Sequence, residues 1–394
     1  MSIVKKAIAV ISFLLLFGLL FASELSVVTG IAESVDGGNE LNTNILEQIE
    51  KLDLAELQEY IQSLGIDDGR GIAERLLAYI NGGSVEYQAF LHQIGEILLE
   101  NCFRLLPAFA CVAAISITCG IANHLRSGWN DKASGEIIAL IAYLGALIPM
   151  VSILMDCVQS ARESVGQLQT QVQLIFPLLL TLMAASGQTA TIAVCQPTVA
   201  FLSTAVLSIV HQVVFPLTMA MMAFYMVGNF SSDVKLGKFS AFFKSVNKWL
   251  IGLTVSVFGL FFSVQGIVSA SYDGITRRVA KYAIGTGVPI VGGFLSGGFD
   301  LAIAGSVLIK NSLGILGVFL IISVIFEPLA LLISVNVLLR LTSAVTQPFG
   351  ENKISDFLSQ TADDLNYCTA GILLSAFMYL LCIVIAICTT EMML

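Results

Sequence analysis

The sequence predicts an all-α, polytopic helical membrane protein with an N-terminal signal segment and a small helical extracytoplasmic region. Three observations carry this. Of 394 residues, 56% are hydrophobic and only 12% are charged, with mean hydropathy +0.88. Soluble domains carry about 25% charged residues, so this chain cannot clothe a water-facing surface of its own size. Charge is also segregated. From Glu24 to Glu100 there are 15 acidic and 3 basic residues, a net of −12, and the remainder holds 13 acidic and 16 basic, a net of +3. The composition excludes an ordinary cytosolic enzyme and a disordered chain, and the absence of a basic face excludes nucleic-acid binding.

Residues 1–23 read as a signal peptide or signal anchor. Lys5 and Lys6 precede an apolar run from Ala7 to Phe21, and Ala22-Ser23 supplies small residues. Both a cleaved signal and a retained anchor are compatible with this pattern. Residues 24–96 form the acidic helical extracytoplasmic region. Asp53 and Glu56 have capping-box spacing, Leu54, Leu57, Ile61 and Leu64 recur at helical spacing, and Gly65 occupies a C′ position. Ile72, Leu76, Leu77 and Ile80 make a second stripe, stopped by Gly82-Gly83.

Residues 97–394 form the multi-pass transmembrane body. Against about 20 residues per crossing, the apolar spans are 103–122, 137–157, 174–195, 198–229, 249–270, 286–309, 312–339 and 367–389. Pro177, Pro197 and Pro216 interrupt 174–229, which is long for two helices and short for three. The glycine-rich run 286–309 fits a re-entrant element as well as a crossing. Lys235, Lys238, Lys244 and Lys248, set around three phenylalanines, suggest a basic amphipathic helix on the cytoplasmic face. The loop 123–136 goes to the same side. Arg277, Arg278 and Lys281 conflict with that assignment if 249–270 crosses once.

The eight cysteines lie in or beside apolar runs and form no C-x-x-C pair, so they read as small apolar core residues rather than metal ligands. No cofactor or metal site is expected. Tyr272-Asp273 with Asp300 superficially matches an aspartyl intramembrane protease, but Phe299 stands where a glycine should precede the second aspartate. Ser186 with His211 could form a Ser–His dyad, yet Ala184-Ala185 replaces the expected glycine context. Gly293 and Gly297 are four apart, as are Gly298, Ala302 and Ser306, a spacing that lets helix backbones approach closely. Arg104, Asp300, Lys310 and Glu327 lie at apparent membrane depth, where each costs about 2.5–3.5 kcal/mol unless it meets protein or water. Arg104 and Lys310 can snorkel. Glu327 before Pro328 is the leading candidate for a buried functional or assembly residue, at an expected kink.

Two stretches carry a family resemblance. FPLLLTLMAASGQTATIAVCQP, from Phe176 to Pro197, and YDGITRRVAKYAIGTGVPIVGGFLSGGFDLAIAGSVLIKNSLGILGVF, from Tyr272 to Phe319, resemble stage III sporulation protein AE of endospore-forming Firmicutes. Arg278 beside Arg277 departs from the family pattern. The resemblance implies a non-enzymatic, multi-pass component of the channel-like complex joining mother cell and forespore, needed for late forespore development. It implies a place in the mother-cell membrane, and as partners the bilayer, other proteins of the same operon and a forespore membrane protein. No catalytic residues are implied. The alternatives are a self-sufficient transporter or permease, which should show an inverted repeat that is not evident, and an intramembrane protease.

Overall fold

A computed structural model describes residues 38–65, 71–80, 87–126, 132–188, 192–193, 196–197, 200–201, 205–228, 237–269, 292–348 and 352–388. These residues are helical, with no strand among them. Three short helices, α1 (Gly38–Glu50), α2 (Ala55–Ser63) and α3 (Ile72–Ile80), precede α4 (Tyr87–Arg126), α5 (Lys132–Ala185) and α6 (Leu207–Gly228). Then come α7 (Gly237–Ser269), α8 (Gly292–Thr346) and α9 (Asn352–Cys388). Five of these helices, all but α7 and the short three, contain stretches long and apolar enough to cross a membrane. The signal segment, Gly82-Gly83, Lys235, Asp273 and the Arg277–Lys281 charges lie outside the described residues.

Length is the first surprise. Helix α5 has 54 residues and α8 has 55. At 1.5 Å per residue each is about 80 Å long, against about 30 Å of hydrocarbon. The expected spans 137–157 and 174–195 are therefore joined, up to Ala185, in one helix, and 286–309 and 312–339 are joined from Gly292 onward. The intervening polar stretch of α5 is amphipathic rather than a loop. Ala161, Ser164, Val165, Leu168, Gln171 and Val172 are buried at helical spacing, while Arg162, Glu163, Gln167, Thr170 and Gln173 face outward. Pro149, Pro177 and Pro328 are all accommodated inside continuous helices.

Helix pairs fix the levels. Ser164 Oγ donates to the Val324 carbonyl at 3.2 Å, and Gly317 faces Ile175, so α5 and α8 run antiparallel. Tyr143 lies near the other end of α5, where its hydroxyl donates to the Met226 carbonyl at 2.9 Å and its ring meets Phe357 edge-on at 6.0 Å. Ile115 touches Gly145 and the Cys119 thiol lies 4.0 Å from the Ile138 carbonyl, so α4 runs antiparallel to α5. The bundle thus has two storeys. In the first, large apolar side chains face outward: Phe103, Ile121, Ile141, Ile148, Trp249, Leu260 and Leu341 among them. In the second, no described large apolar side chain of α5 beyond Met155, of α8 before Val337 or of α9 is exposed. A girdle of exposed polar residues, Glu100, Arg104, Asp156, Arg162, Glu163 and Glu327, marks the border.

The second storey is roofed by the acidic helices. Ile45, Ile49, Leu57, Ile61, Ile72, Leu76 and Ile80 share one core with Ile175, Leu179, Met183, Leu308, Leu313 and Leu316. Helix α1 reaches α8 at its small residues: Ser306 Oγ donates to Gln48 Oε1 at 2.7 Å, and a Cβ on Gly305 would lie 3.0 Å from Gln48 Nε2. The small-residue spacing thus admits an acidic amphipathic helix. Gly65, with φ +69°, ends α2 in the left-handed region as its C′ position requires. The expected Asp53 capping box is not formed. The N-cap is Leu54 without a side-chain bond, and Asp53 only accepts from the Ala55 amide at 3.4 Å.

The basic stretch is likewise not a separate interfacial helix. From Gly237 it forms the first turns of α7, where Phe243 stacks on Phe224 of α6 at 5.4 Å. Of the cysteines, Cys119, Cys157, Cys368 and Cys382 are buried as expected, but Cys111 is exposed on the lipid-facing side of α4.

Close approach of α8 and α9 depends on Gly314, where an added Cβ would collide with Ile387. Gly314→Leu is expected to lower stability by about 1–3 kcal/mol through overpacking. Gly252→Leu, in open space on α7, should leave the detergent-solubilised melting temperature unchanged.

Candidate functional site

Helix α9 carries a buried face that is polar for most of its length. Thr361, Asp364, Cys368, Gly371, Ser375 and Tyr379 recur at spacings of three, four or seven, and all are buried. In sequence only the apolar run from 367 stands out, because Cys368, Gly371 and Ser375 are small residues that do not interrupt it.

Around Asp364 three helices meet. Lys244 of α7 reaches in from a partly exposed position, and its Nζ lies 3.2 Å from Asp364 Oδ1. Gln360 Nε2 donates to the same oxygen at 3.2 Å. One turn along α7, Asn247 Nδ2 donates to Thr218 Oγ1 of α6 at 3.0 Å and to the Val214 carbonyl at 3.3 Å. The Thr218 hydroxyl is also in contact with the Cys368 thiol. The carboxylate is held by two donors through one oxygen. Asp364 Oδ2, Asn247 Oδ1 and Thr361 Oγ1 are buried with no hydrogen-bond partner among the described residues.

The second cluster sits in the upper storey. Phe176 of α5 meets Tyr379 of α9 at 6.2 Å. Tyr60 of α2 donates to the Gln167 carbonyl at 3.2 Å and interacts with both Gln171 and Tyr379. Burial pushes the Tyr60 hydroxyl up to about 12, against a smaller downward pull from Gln171. The Gln171 amide makes no hydrogen bond of ordinary geometry, and Ser375 Oγ and Tyr379 Oη find no partner among the described residues.

The sequence-selected residues fall in different places. Lys310 does not snorkel. It is fully buried, and its ammonium donates to the carbonyls of Ala386 at 2.7 Å and Ile387 at 3.2 Å. It thereby satisfies the C-terminal carbonyls of α9, where the helix dipole favours a cation. Glu327 is not buried. It stands exposed on α8 in the polar girdle, while Pro328 beside it is buried. The apolar run before it is largely protein core, with Leu313, Leu316, Leu320 and Val324 buried. Gly293, Gly297 and Asp300 lie in the first turns of α8, and their surroundings are outside the described residues. Arg104 is exposed and bonds Asn101 at 3.1 Å.

The Ser–His dyad is excluded by distance. Arg162 Nε lies 3.3 Å from His211 Nε2, whereas Ser186 lies 24 residues further along α5, about 35 Å away, donating to the Met183 carbonyl at 3.0 Å. Among the described residues no group of three or more His, Cys, Asp and Glu is placed to hold a metal ion.

Removing one member of the Lys244–Asp364 pair strands the other. Lys244→Met is expected to cost about 2 kcal/mol, less than for a fully buried pair because part of the lysine is solvated. Adding Asp364→Leu to Lys244→Met should restore most of the lost melting temperature. Tyr60 predicts an alkaline effect: its stabilising share is full below pH 10 and is lost as pH rises towards about 12, and Tyr60→Phe should abolish that loss in a pH-dependent melt.

A family model described as stage III sporulation protein AE matches residues 73–390. The stage III sporulation protein AE of Bacillus subtilis (strain 168) is 24% identical over 313 residues, covering 79% of this chain and 78% of that protein. No solved structure matches. The match runs from within α3 to beyond the end of α9 and takes in most of the sequence, so the chain belongs to the stage III sporulation protein AE family.

Proposed function

We propose that this protein is a non-enzymatic, multi-pass component of the sporulation channel complex linking mother cell and forespore. It sits in the mother-cell membrane and serves late forespore development. Its partners are other proteins of the same sporulation operon and a forespore membrane protein. The observation that carries this reading is the rigid attachment of the acidic helices to the second storey. Lys132, Lys238 and Lys353 lie in the first turns of α5, α7 and α9, at the end of the bundle marked by the Tyr143–Phe357 contact. A basic end and an acidic end agree with the positive-inside rule. The acidic roof then faces the space between the two membranes, held by a core rather than by a tether, and offers a fixed surface to a partner from the other side. Residues 24–96 are accordingly read as one extracytoplasmic region and 97–394 as the membrane-anchored body. Glu327, in the girdle at the outer border, is a candidate contact for such partners.

Two measurements test this. A cysteine at exposed Glu59, in a background without other cysteines, should react with a membrane-impermeant maleimide in intact non-sporulating cells made to produce the protein, and one at Lys238 only after permeabilisation. The reverse pattern overturns the orientation. Affinity capture from sporulating membranes should retain the operon partners. Glu327→Leu should reduce that capture several-fold without lowering the abundance of the protein, whereas capture of this chain alone refutes the complex.

A further inference from the structure

Both polar clusters are built on one face of α9. Seven side-chain atoms are buried on or against it without a hydrogen bond of ordinary geometry: Thr361 Oγ1, Asp364 Oδ2, Ser375 Oγ and Tyr379 Oη of α9, Asn247 Oδ1 of α7 and both amide atoms of Gln171 of α5. Leaving a buried polar group dry costs a few kcal/mol, so a helical bundle does not gather seven by chance. Internal water is the usual partner for such groups. Six of the seven atoms are oxygens, and Lys244 is neutralised by Asp364. Oxygens of this kind hydrate or coordinate a small cation better than an anion.

Between the clusters the face is covered by close apolar packing. At Gly371 a Cβ would lie 3.0 Å from Phe215 Cε1 and 3.1 Å from Val210 Cγ1. Phe215 is fully buried and directly follows the π-helical turn Val210–Val214. Such turns are local insertions in a helix that often mark functional positions, and Pro216 removes a further backbone donor there. An apolar ring seated on a glycine between two polar clusters is the arrangement of a dewetting constriction.

We propose that the face of α9 from Thr361 to Tyr379 lines a water-filled path for small monovalent cations within a single copy of the chain, closed by Phe215 against Gly371. The Lys244–Asp364 pair stands at its partly exposed end, and Tyr60 covers the other. The path is internal to this chain and does not depend on the multi-protein complex, so it is tested without partners.

The full-length chain in potassium-loaded lipid vesicles is treated with the small hydrophilic thiol reagent 2-aminoethyl methanethiosulfonate, and each cysteine is followed by peptide mass spectrometry. Cys368 lies on the path and is 0% exposed, and Cys119 lies off it and is 4% exposed. Cys368 should react at least tenfold faster than Cys119 despite its deeper burial. Potassium efflux from vesicles carrying folded Phe215→Ala should exceed that of the unaltered protein at least tenfold. If Cys368 reacts no faster than Cys119, or if folded Phe215→Ala vesicles stay as tight as those of the unaltered protein, the path does not exist. The Cys368 comparison uses the unaltered chain and decides the matter even if Phe215→Ala does not fold. Failure in these vesicles leaves the complex reading standing, since no partner is present.

Discussion

Everything in this bundle follows from the mismatch between two 80 Å helices and a 30 Å hydrocarbon layer. A helix that is apolar over most of its length and too long for the bilayer must find protein for the excess. Helices α5 and α8 find each other, α9 and the acidic helices. The acid-rich segment is therefore part of the fold: its inward stripe of isoleucines and leucines covers apolar surface that would otherwise face water. Its outward charges keep the covered end soluble. The lipid-facing storey needs no such cover, which is why most of the exposed large apolar side chains among the described residues lie there, Leu46 of α1 being an exception.

The same arrangement redistributes the polar residues that a membrane protein can least tolerate. Lys310 is held by the carbonyl ends of α9, Asp364 by Lys244 and Gln360, and Arg340 reaches Asp363 at 2.7 Å while its Nε donates to Asn336 at 2.9 Å. Asn336 in turn donates to the Ala362 carbonyl at 2.6 Å. The Lys310, Lys244, Arg340–Asp363 and Asn336–Ala362 contacts each join α9 to a neighbour, so the last helix is fastened by charge and hydrogen bonding along its length as well as by packing.

The helical membrane class, the buried stripes of α2 and α3 and the left-handed Gly65 were legible in the sequence because composition and periodicity are local signals. The number and extent of the long helices were not. Hydropathy alone cannot distinguish a residue that faces lipid from one that faces a protein core, so 312–339 read as a single crossing. In α8 the segment 303–324 is core, whereas further on Val337, Leu341 and Val345 turn an apolar edge outward, with Glu327 between the two. The polar link 158–173 concealed its helix because its buried positions include Ser164 and Gln171 among the aliphatic ones. Lys310 read as an interfacial lysine because nothing near it in sequence hints at carbonyls 76 residues away. The Asp364 cluster was hidden for the same reason, since its members come from α6, α7 and α9.

The bond between Gln48 and Ser306 spans 258 residues of sequence. The acidic helices emerge early and their seat on α8 emerges late. At about 5–20 residues per second of synthesis, α1 waits some 10–50 s for the surface that completes its core. During that interval three short amphipathic helices stand with their apolar faces uncovered, on whichever side of the membrane they have been delivered. Assembly of this protein thus contains an obligatory window of exposure, set by gene order along one chain, in which a chaperone or a neighbouring subunit has time to engage the segment before it closes onto its own bundle.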